Sequence, residues 1–399
     1  MQPLQNIDIF VSGGGIAGLI AAAAFGQAGF SVILVDPNFP SASGPDTNAD
    51  WRTTAFLQPA RTLLDRAGVW GRLAPFATPL ATMRIMDAGN VFGHQSSHDF
   101  NAHDISDLPF GWNLPNWIVR QEVVAHLNDL SNVNVQFGAE TAHVTTREDG
   151  AHVSLRDGAR IRARLVIAAD GRQSPLRTAA GIRVRTVRYG QKALAFAVTH
   201  PIPHANVSIE IHRAGGPFTL VPLPDHEGRP ASAVVWMERA AEALRLSALP
   251  EDAFNAEITE RSVSVLGPLS LMTRRALWPI IGQIADRMET QRMAFMAEAA
   301  HVLPPIGAQG LNTSLADVAV LLNLVEKNRT DPGARGVLHQ YHCVRYPDVM
   351  ARWAAVGALN HASMAGGAVP QMLRQGALAM LHDIAPLRRA LMRAGLGAR

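Results

Sequence analysis

Three glycines spaced as Gly13-x-Gly15-x-x-Gly18 follow the short apolar run Ile7–Val11 and open the alanine-rich stretch Ile16–Phe25. A second apolar run, Ser31–Val35, ends on Asp36. Each of these residues has a chemical use. Gly13 permits a tight turn, Gly15 lets a pyrophosphate approach the backbone, and Gly18 lets a helix pack close to a sheet. The start of a helix offers unpaired N–H groups and partial positive charge to a phosphate. A carboxylate at Asp36 can accept from ribose hydroxyls. The glycines alone are weak evidence. Strand, glycine turn, helix, strand and acid in that order predict a dinucleotide site.

Two distant segments carry further chemistry. Arg164–Gly171 is strand-like and ends on Asp170-Gly171, which delivers one carboxylate and one flexible backbone position. An ordinary strand-end turn has the same sequence, so this segment alone leaves both readings open. The segment Arg292–Val318 contains a strand-like run ending near Glu298, a Pro-Pro-Ile-Gly loop, and then Gly310-Leu311-Asn312 opening a helix to about Lys327. Leu315, Val318, Ala319 and Leu322 recur at helical spacing there. A helix start after a glycine-rich loop is a second anion site. A carboxylate at a strand end can hold a polyol hydroxyl.

Taken together, the three segments resemble the aromatic-ring hydroxylase group of single-component FAD monooxygenases, from about Asn6 to about Trp353. They are similar to its dinucleotide fingerprint, its DG motif and its GDAAH-P-x-x-G-x-G-x-N motif. Within that group the chain looks like the UbiH-type ubiquinone-biosynthesis hydroxylases. Supporting stretches are Asp50-x-Arg52-Thr53-Thr54-Ala55, Asn116-Trp117-Ile118-Val119-Arg120, Tyr189-Gly190-Gln191, Gly216–Leu223 and Val235-Trp236. Two departures stand out. The family's Gly-Asp pair is Ala297-Glu298 here, and its Ala-Gly-Gln-Gly is Gly307-Ala308-Gln309-Gly310.

The resemblance implies non-covalent FAD, with NAD(P)H or a protein electron donor as reductant. It assigns Gly13, Gly15 and Gly18 to the pyrophosphate and Asp36 to the adenosine ribose. Arg52 and Arg120 match arginines that contact the flavin nucleotide, a surface ion pair being the plainer alternative for each. Asp170 matches the DG aspartate. Glu298 replaces the ribityl aspartate. Gly310, Leu311 and Asn312 would present backbone N–H groups to the flavin pyrimidine edge, which favours negative charge on the reduced ring. The reaction implied is hydroxylation of a polyprenylated phenol or quinone precursor by O2, through a flavin hydroperoxide. No residue stands out as a catalytic base. Alternatives on the same scaffold are an FAD-dependent reductase, a halogenase, and a non-catalytic flavin-binding member of a biosynthetic complex. A halogenase usually carries a chamber lysine; Lys192 and Lys327 are the candidates, and neither lies in a matching motif.

These residues need a scaffold that returns to one cofactor three times. The expected fold is α/β: a discontinuous Rossmann-like FAD-binding domain (1–75, 104–182 and 271–345), a smaller mixed β-sheet substrate domain (76–103 and 183–270) and a helical C-terminal region (346–399). Substrate-domain strands are expected at Ala193–Thr199, Val207–His212, Phe218–Pro222 and Ala231–Trp236. Pro222 and Trp236 are expected, by position, to line the chamber between the domains.

Composition narrows the alternatives. The chain has 399 residues, 48% hydrophobic and 17% charged, so it can bury a large core and is not a disordered protein. Its net charge is only +3, with no block of basic residues, so nucleic acid is not an expected partner. No apolar run is long enough for a transmembrane helix, and the opening residues read as a folded strand rather than a signal peptide. The single Cys343 excludes an intramolecular disulfide, fits a cytoplasmic setting, and is expected to be a buried thiol. His94, His98 and His103 match no compact metal motif, and no metal is expected. His301 lies inside the flavin motif, where a structural role is expected ahead of the alternative, acid–base work. In the tail Gln371–Arg399, Met380, Ile384, Leu387 and Leu391 fall at a/d-like spacing beside Arg374, Arg388, Arg389 and Arg393, with Pro386 expected to bend the helix. Packing on the protein's own body and contact with a membrane surface or partner both fit, the second placing the enzyme peripherally at the inner face of a membrane.

Overall fold

The computed structural model describes residues 4–40, 52–88, 96–213, 215–364 and 382–396. Asp50, His94, Arg374 and Met380 lie outside the described residues.

The opening strand forms over Gln5–Ser12, and its second half is fully buried. It pairs in parallel with Val32–Asp36 on one side and Arg160–Ala168 on the other. Val133–Phe137 extends the sheet beyond Val32–Asp36, and Met293–Phe295 extends it beyond Arg160–Ala168, both in parallel. Strands covered on both faces read as apolar runs, which is why Gln5–Ser12, Val32–Asp36 and Arg160–Ala168 were legible, whereas Val133–Phe137, interrupted by Asn134 and Gln136, was not. A hairpin, Thr141–Arg147 with Gly150–Leu155, and the short Glu289–Thr290 complete an eight-stranded sheet.

The helix Ile16–Gln27 is apolar on every side and buried from Ile16 to Gly26. A helix of that kind belongs inside a protein. It lies against the helices Asn116–Asp129 and Gln309–Glu326. Its close seat depends on glycine. A Cβ on Gly18 would fall 1.9 Å from the carbonyl oxygen of Gly13, and Gly13 itself holds φ at +112°.

A second, nine-stranded mixed sheet contains all four expected substrate-domain strands, now Val184–Thr199, Val207–Arg213, Gly216–His226 and Arg229–Arg239. Thr82–Asp87 joins it in parallel to Val207–Arg213. Ala276–Ala285, which falls in the segment 271–345 assigned above to the cofactor domain, pairs along Val184–Thr199 in this sheet. The register slips between Arg188 and Lys192, where Tyr189-Gly190-Gln191 makes a bulge and Gly190 takes φ +69°. Helices Ala240–Ala248 and Glu251–Arg261 cover one face, burying Phe196, Phe218, Trp236, Phe254 and Ile258 in one cluster. Trp236 therefore packs against helices, 5.5 Å from Phe218, and does not line a chamber. Pro222 is buried as well, its carbonyl accepting from Asn113 Nδ2 at 2.9 Å. Position along a strand gave no facing; the pleat's alternation decided it.

A three-stranded sheet of Thr53–Leu57, Gly111–Pro115 and Thr78–Leu80 stands apart from these. The 30-residue helix Arg335–Met364 runs across the boundary placed between 345 and 346. Cys343 on this helix is exposed, 3.5 Å from His339, and is not the buried thiol expected. It falls on the helix's solvent side, beside exposed Val344. In the tail, Pro386 sits in the first turn of the helix Ala385–Leu396, just after a bend at Ile384. The residues that pack inward are Met392 and Leu396; Ile384, Leu387 and Leu391 are exposed.

Replacing Gly18 tests the packing directly. Gly18→Ala drives a methyl into backbone rather than into a flexible side chain, and should destabilise the apoprotein by about 1–3 kcal/mol. Urea unfolding measures this, and an unchanged midpoint would contradict the close helix–turn contact.

Candidate functional site

Open parallel sheets bind ligands beyond the C-terminal ends of their strands. Here Ser12, Asp36, Ala168 and Phe295 mark those ends on adjacent strands. The glycine turn leads from Ser12 into a helix whose N-cap is Gly15, with no side chain capping it. Nothing lies within 4 Å of where a Gly15 Cβ would be. The first N–H groups of that helix have no helical partner, and the wall at Gly15 is open.

Beside this turn is a cavity of about 350 Å³, with Gly13, Gly15, Asp36, Arg120, Phe137 and Asp170 in its wall. Asp36 Oδ2 accepts from the Gly14 N–H at 2.6 Å, and Oδ1 accepts from Asn38 N–H at 2.8 Å. The carboxylate is thus fixed at the lip of the cavity. Arg120 reaches it from the helix Asn116–Asp129, and its Nε is buried without a partner. Asp170 follows the strand Arg160–Ala168. Its Oδ2 accepts from Leu176 N–H at 3.2 Å, while Oδ1 is buried without a partner. Burial raises the Asp170 carboxyl above the usual range, with hydrogen bonds from Ser174 and the Leu176 backbone opposing it. Unpaired donors and acceptors around a glycine-walled cavity suit a ribose and pyrophosphate.

The second and third segments meet here. Arg177 is buried; its guanidinium donates to the Ala299 carbonyl at 2.8 Å and to the Arg172 carbonyl at 2.9 Å. Arg172 Nε lies 3.5 Å from Glu298 Oε2. Glu298 is half-exposed, on the short 3-10 turn Ala297–Ala299 just past the strand Met293–Phe295. Both departures from the family pattern sit in the left-handed region: Ala297 has φ +53° and Ala308 φ +56°. A side chain is disfavoured there by about 1–2 kcal/mol, which is why glycine is usual at such positions.

Ala308 caps the helix Gln309–Glu326, again without a side-chain cap. Gly310 and Leu311 stand in its first turn with their N–H groups outside the helical ladder. The Asn312 side chain is fully engaged. Its Nδ2 donates to the Ala55 and Ala308 carbonyls, both at 2.7 Å, and its Oδ1 accepts from Leu57 N–H at 2.9 Å. It braces the helix start against the strand Thr53–Leu57. Arg52, just before that strand, is outside the cavity wall; its guanidinium lies 5.6 Å over the Trp278 ring.

One cluster was absent from the sequence reading. Asp317, fully buried, takes His301 Nε2 at 2.6 Å and Arg345 Nε at 2.7 Å. Burial alone would raise its carboxyl; the charges and hydrogen bonds of His301 and Arg345 outweigh this and hold it below the usual range. Asp317 Oδ2 also accepts from the Ala297 N–H at 3.3 Å, and Arg345 donates to the Thr313 carbonyl at 3.1 Å. One carboxylate thus ties the Glu298 turn to the helix that follows. The available signal was an acid amid the apolar positions Leu315, Val318 and Leu322. His301 has the structural placement read from sequence.

The family described as FAD binding domain matches residues 6–354. A ubiquinone hydroxylase, UbiL, of Rhodospirillum rubrum is 32% identical over 98% of this chain and 89% of its own. The 3-demethoxyubiquinol 3-hydroxylase of Escherichia coli is 25% identical over 82% of this chain and 81% of its own. Among solved structures, p-nitrophenol 4-monooxygenase from Pseudomonas putida superposes with a TM-score of 0.80 at 18% identity, covering 99% of this chain and 100% of that one.

Two outcomes follow from the geometry. Ala297→Gly and Ala308→Gly should each stabilise the protein by roughly 0.5–1 kcal/mol, strain relief exceeding the entropy glycine adds to the unfolded chain; thermal unfolding that shows a loss at both sites would contradict the left-handed turns. Asp170 has the opposite sign from a salt-bridged acid. As pH rises from the usual carboxylate range through its raised folded value, the unfolded chain ionises first and the apoprotein loses stability. Asp170→Asn should flatten this dependence and stabilise the apoprotein near neutral pH by about 1 kcal/mol. Parallel urea curves for both proteins across pH 4 to 7 would remove the assignment.

Proposed function

The chain belongs to the FAD binding domain family, and on that premise we propose that it is an FAD-dependent aromatic-ring monooxygenase hydroxylating a polyprenylated phenol or quinone precursor in ubiquinone biosynthesis. The observation that carries this reading is the meeting of three sequence-distant segments at the ends of adjacent parallel strands, the first two of them walling one cavity. A chain that bound only a nicotinamide nucleotide would have little use for the second and third segments. The ubiquinone hydroxylases among its relatives favour the prenylated ring as substrate.

FAD, when bound and reduced, activates O2 and supplies one oxygen atom to an electron-rich ring. The protein's part is to bind, orient and exclude water. The Gly13–Gly18 turn and its helix receive the pyrophosphate, and Asp36 takes the adenosine ribose. Arg120 offers its unpartnered Nε to the same half of the cofactor. Glu298 serves the ribityl hydroxyls, its extra methylene matched by the Ala297 turn. Gly310 and Leu311 direct N–H groups at the flavin ring, and Asn312 holds them there through the Thr53–Leu57 strand. We assign Arg52 to the flavin half of the cofactor; its position outside the cavity wall and over the Trp278 ring supports this. The apolar cluster of Tyr189, Ala193, Met237, Ile280, Ile306 and Val356 adjoins the Pro-Pro-Ile-Gly loop and keeps water from that region. NAD(P)H or a protein donor supplies electrons. A prenylated substrate partitions into lipid, so the proposed place of encounter is the inner face of a membrane; among the described residues no helix is long and apolar enough to cross one.

Denaturing the purified protein should release free FAD, and product formed under heavy-isotope O2 should carry one labelled oxygen. A reduced or halogenated product without label would contradict the reading. Asp36→Ala should weaken FAD by roughly ten- to hundredfold, the loss of a charge-assisted hydrogen bond worth about 1.5–3 kcal/mol; an unchanged titration curve would remove the ribose assignment.

A further inference from the structure

The helix Ala385–Leu396 has its faces the wrong way round for a solvated surface helix. Met392 and Leu396 turn inward and are buried. Arg388 Nε lies 3.4 Å from Asp104, and the Gly395 carbonyl accepts from Gln309 Nε2 at 3.1 Å. Just ahead of the helix, the His382 ring packs 4.9 Å from His98 and 5.7 Å from Phe100. These contacts fix which side faces out. At 100° per residue, Leu387, Ala390, Leu391 and Ala394 then share the outward stripe, and all four are exposed. Leu387 is 37% exposed and Leu391 46%, and Ile384 at the preceding bend is 48% exposed. Of the eleven large exposed apolar side chains among the described residues, three fall in this one short stretch, so it is a patch and not scatter.

Charge says what covers it. Exposed Arg393 borders the stripe, exposed Arg389 lies beyond it on the same flank, and Ala385–Leu396 contains no acidic residue. An apolar strip edged by arginine is the pattern of a helix lying in a lipid interface. A second copy of the chain laid on the same face would bring arginines against arginines, the exposed Asp383 lying ahead of the helix rather than within it. We infer that this helix docks the protein on the headgroup–acyl boundary of an anionic bilayer. The inference deepens the proposed function, since a prenylated substrate resides in that bilayer. The Gly395–Gln309 contact sets the docked helix against the first residue of the helix assigned to the flavin ring, which shortens the path from lipid to site.

The test uses the FAD-loaded full chain and vesicles of phosphatidylcholine with or without phosphatidylglycerol. The protein should co-sediment with the anionic vesicles, and at least tenfold less with phosphatidylcholine alone or at high salt. The double substitution Leu387→Glu, Leu391→Glu should lose at least tenfold in vesicle binding. Its FAD content, melting temperature and turnover of a short-chain, water-soluble ring substrate should match the wild type. Wild type that ignores anionic vesicles, or a double variant that binds them equally, overturns the inference. So does a concentration-dependent dimer abolished by the same substitutions, which would give the face to a second copy. Vesicle binding that depends on Leu387 and Leu391 in a protein that incorporates no oxygen supports the docking face while sinking the hydroxylase reading.

Discussion

The parallel pairing of Arg160–Ala168 between Gln5–Ser12 and Met293–Phe295 is the constraint on which the site depends. Each strand ends in a chemically loaded turn: Gly13–Gly15, Asp170-Gly171 and Ala297-Glu298. Register alone sets these turns side by side, since Ser12 pairs with Ala168 and Ala168 with Phe295. Without that register the three segments would be unrelated loops. Parallel strands need crossovers of a dozen residues or more, and the chain uses two of its crossovers to build the nine-stranded sheet. The interrupted domain order is therefore a consequence of the sheet, not an ornament on it.

Two polar devices keep the third segment in place. Asn312 spends its whole amide on the backbones of Ala55, Leu57 and Ala308, joining the small sheet to a helix start. Asp317 holds His301, Arg345 and the Ala297 backbone at once. A buried charge of this kind contributes little as a simple ion pair, because desolvation offsets the attraction. Its value here is positional: it fixes the Ala297–Ala299 turn against the helices Gln309–Glu326 and Arg335–Met364. The strained Ala297 and Ala308 are tolerated because these contacts over-determine the turns around them.

Much of the fold was legible because it rests on local signals. A buried parallel strand carries an apolar run, and Ile7–Val11, Ser31–Val35 and Leu165–Ala168 read that way. Gly13 and Gly18 announced their turn because a side chain at either would run into backbone, and Gly15 because it leaves the helix start open. The family pattern reached Asp170, Glu298 and Asn312 across long gaps that periodicity could not bridge. The facing of Trp236 was not legible, since alternation along a strand does not say which face is the core. Exposure of Cys343 depended on the rotation of one long helix. The Asp317 network needed three elements brought together, and only His301 carried any local hint. The outward stripe of the last helix was read as apolar spacing, but its direction follows from Met392, Leu396 and Arg388 finding partners on the body.

The central claim is that one FAD is held by all three segments at once. Amide hydrogen exchange, compared between apoprotein and FAD-loaded protein, tests it most directly. Binding should slow exchange in Gly13–Gly18, in Gly171–Arg177 and in Ala308–Asn312 together. Protection confined to Gly13–Gly18, with the other two segments unchanged, would mean a nucleotide held by the first turn alone and would contradict the account.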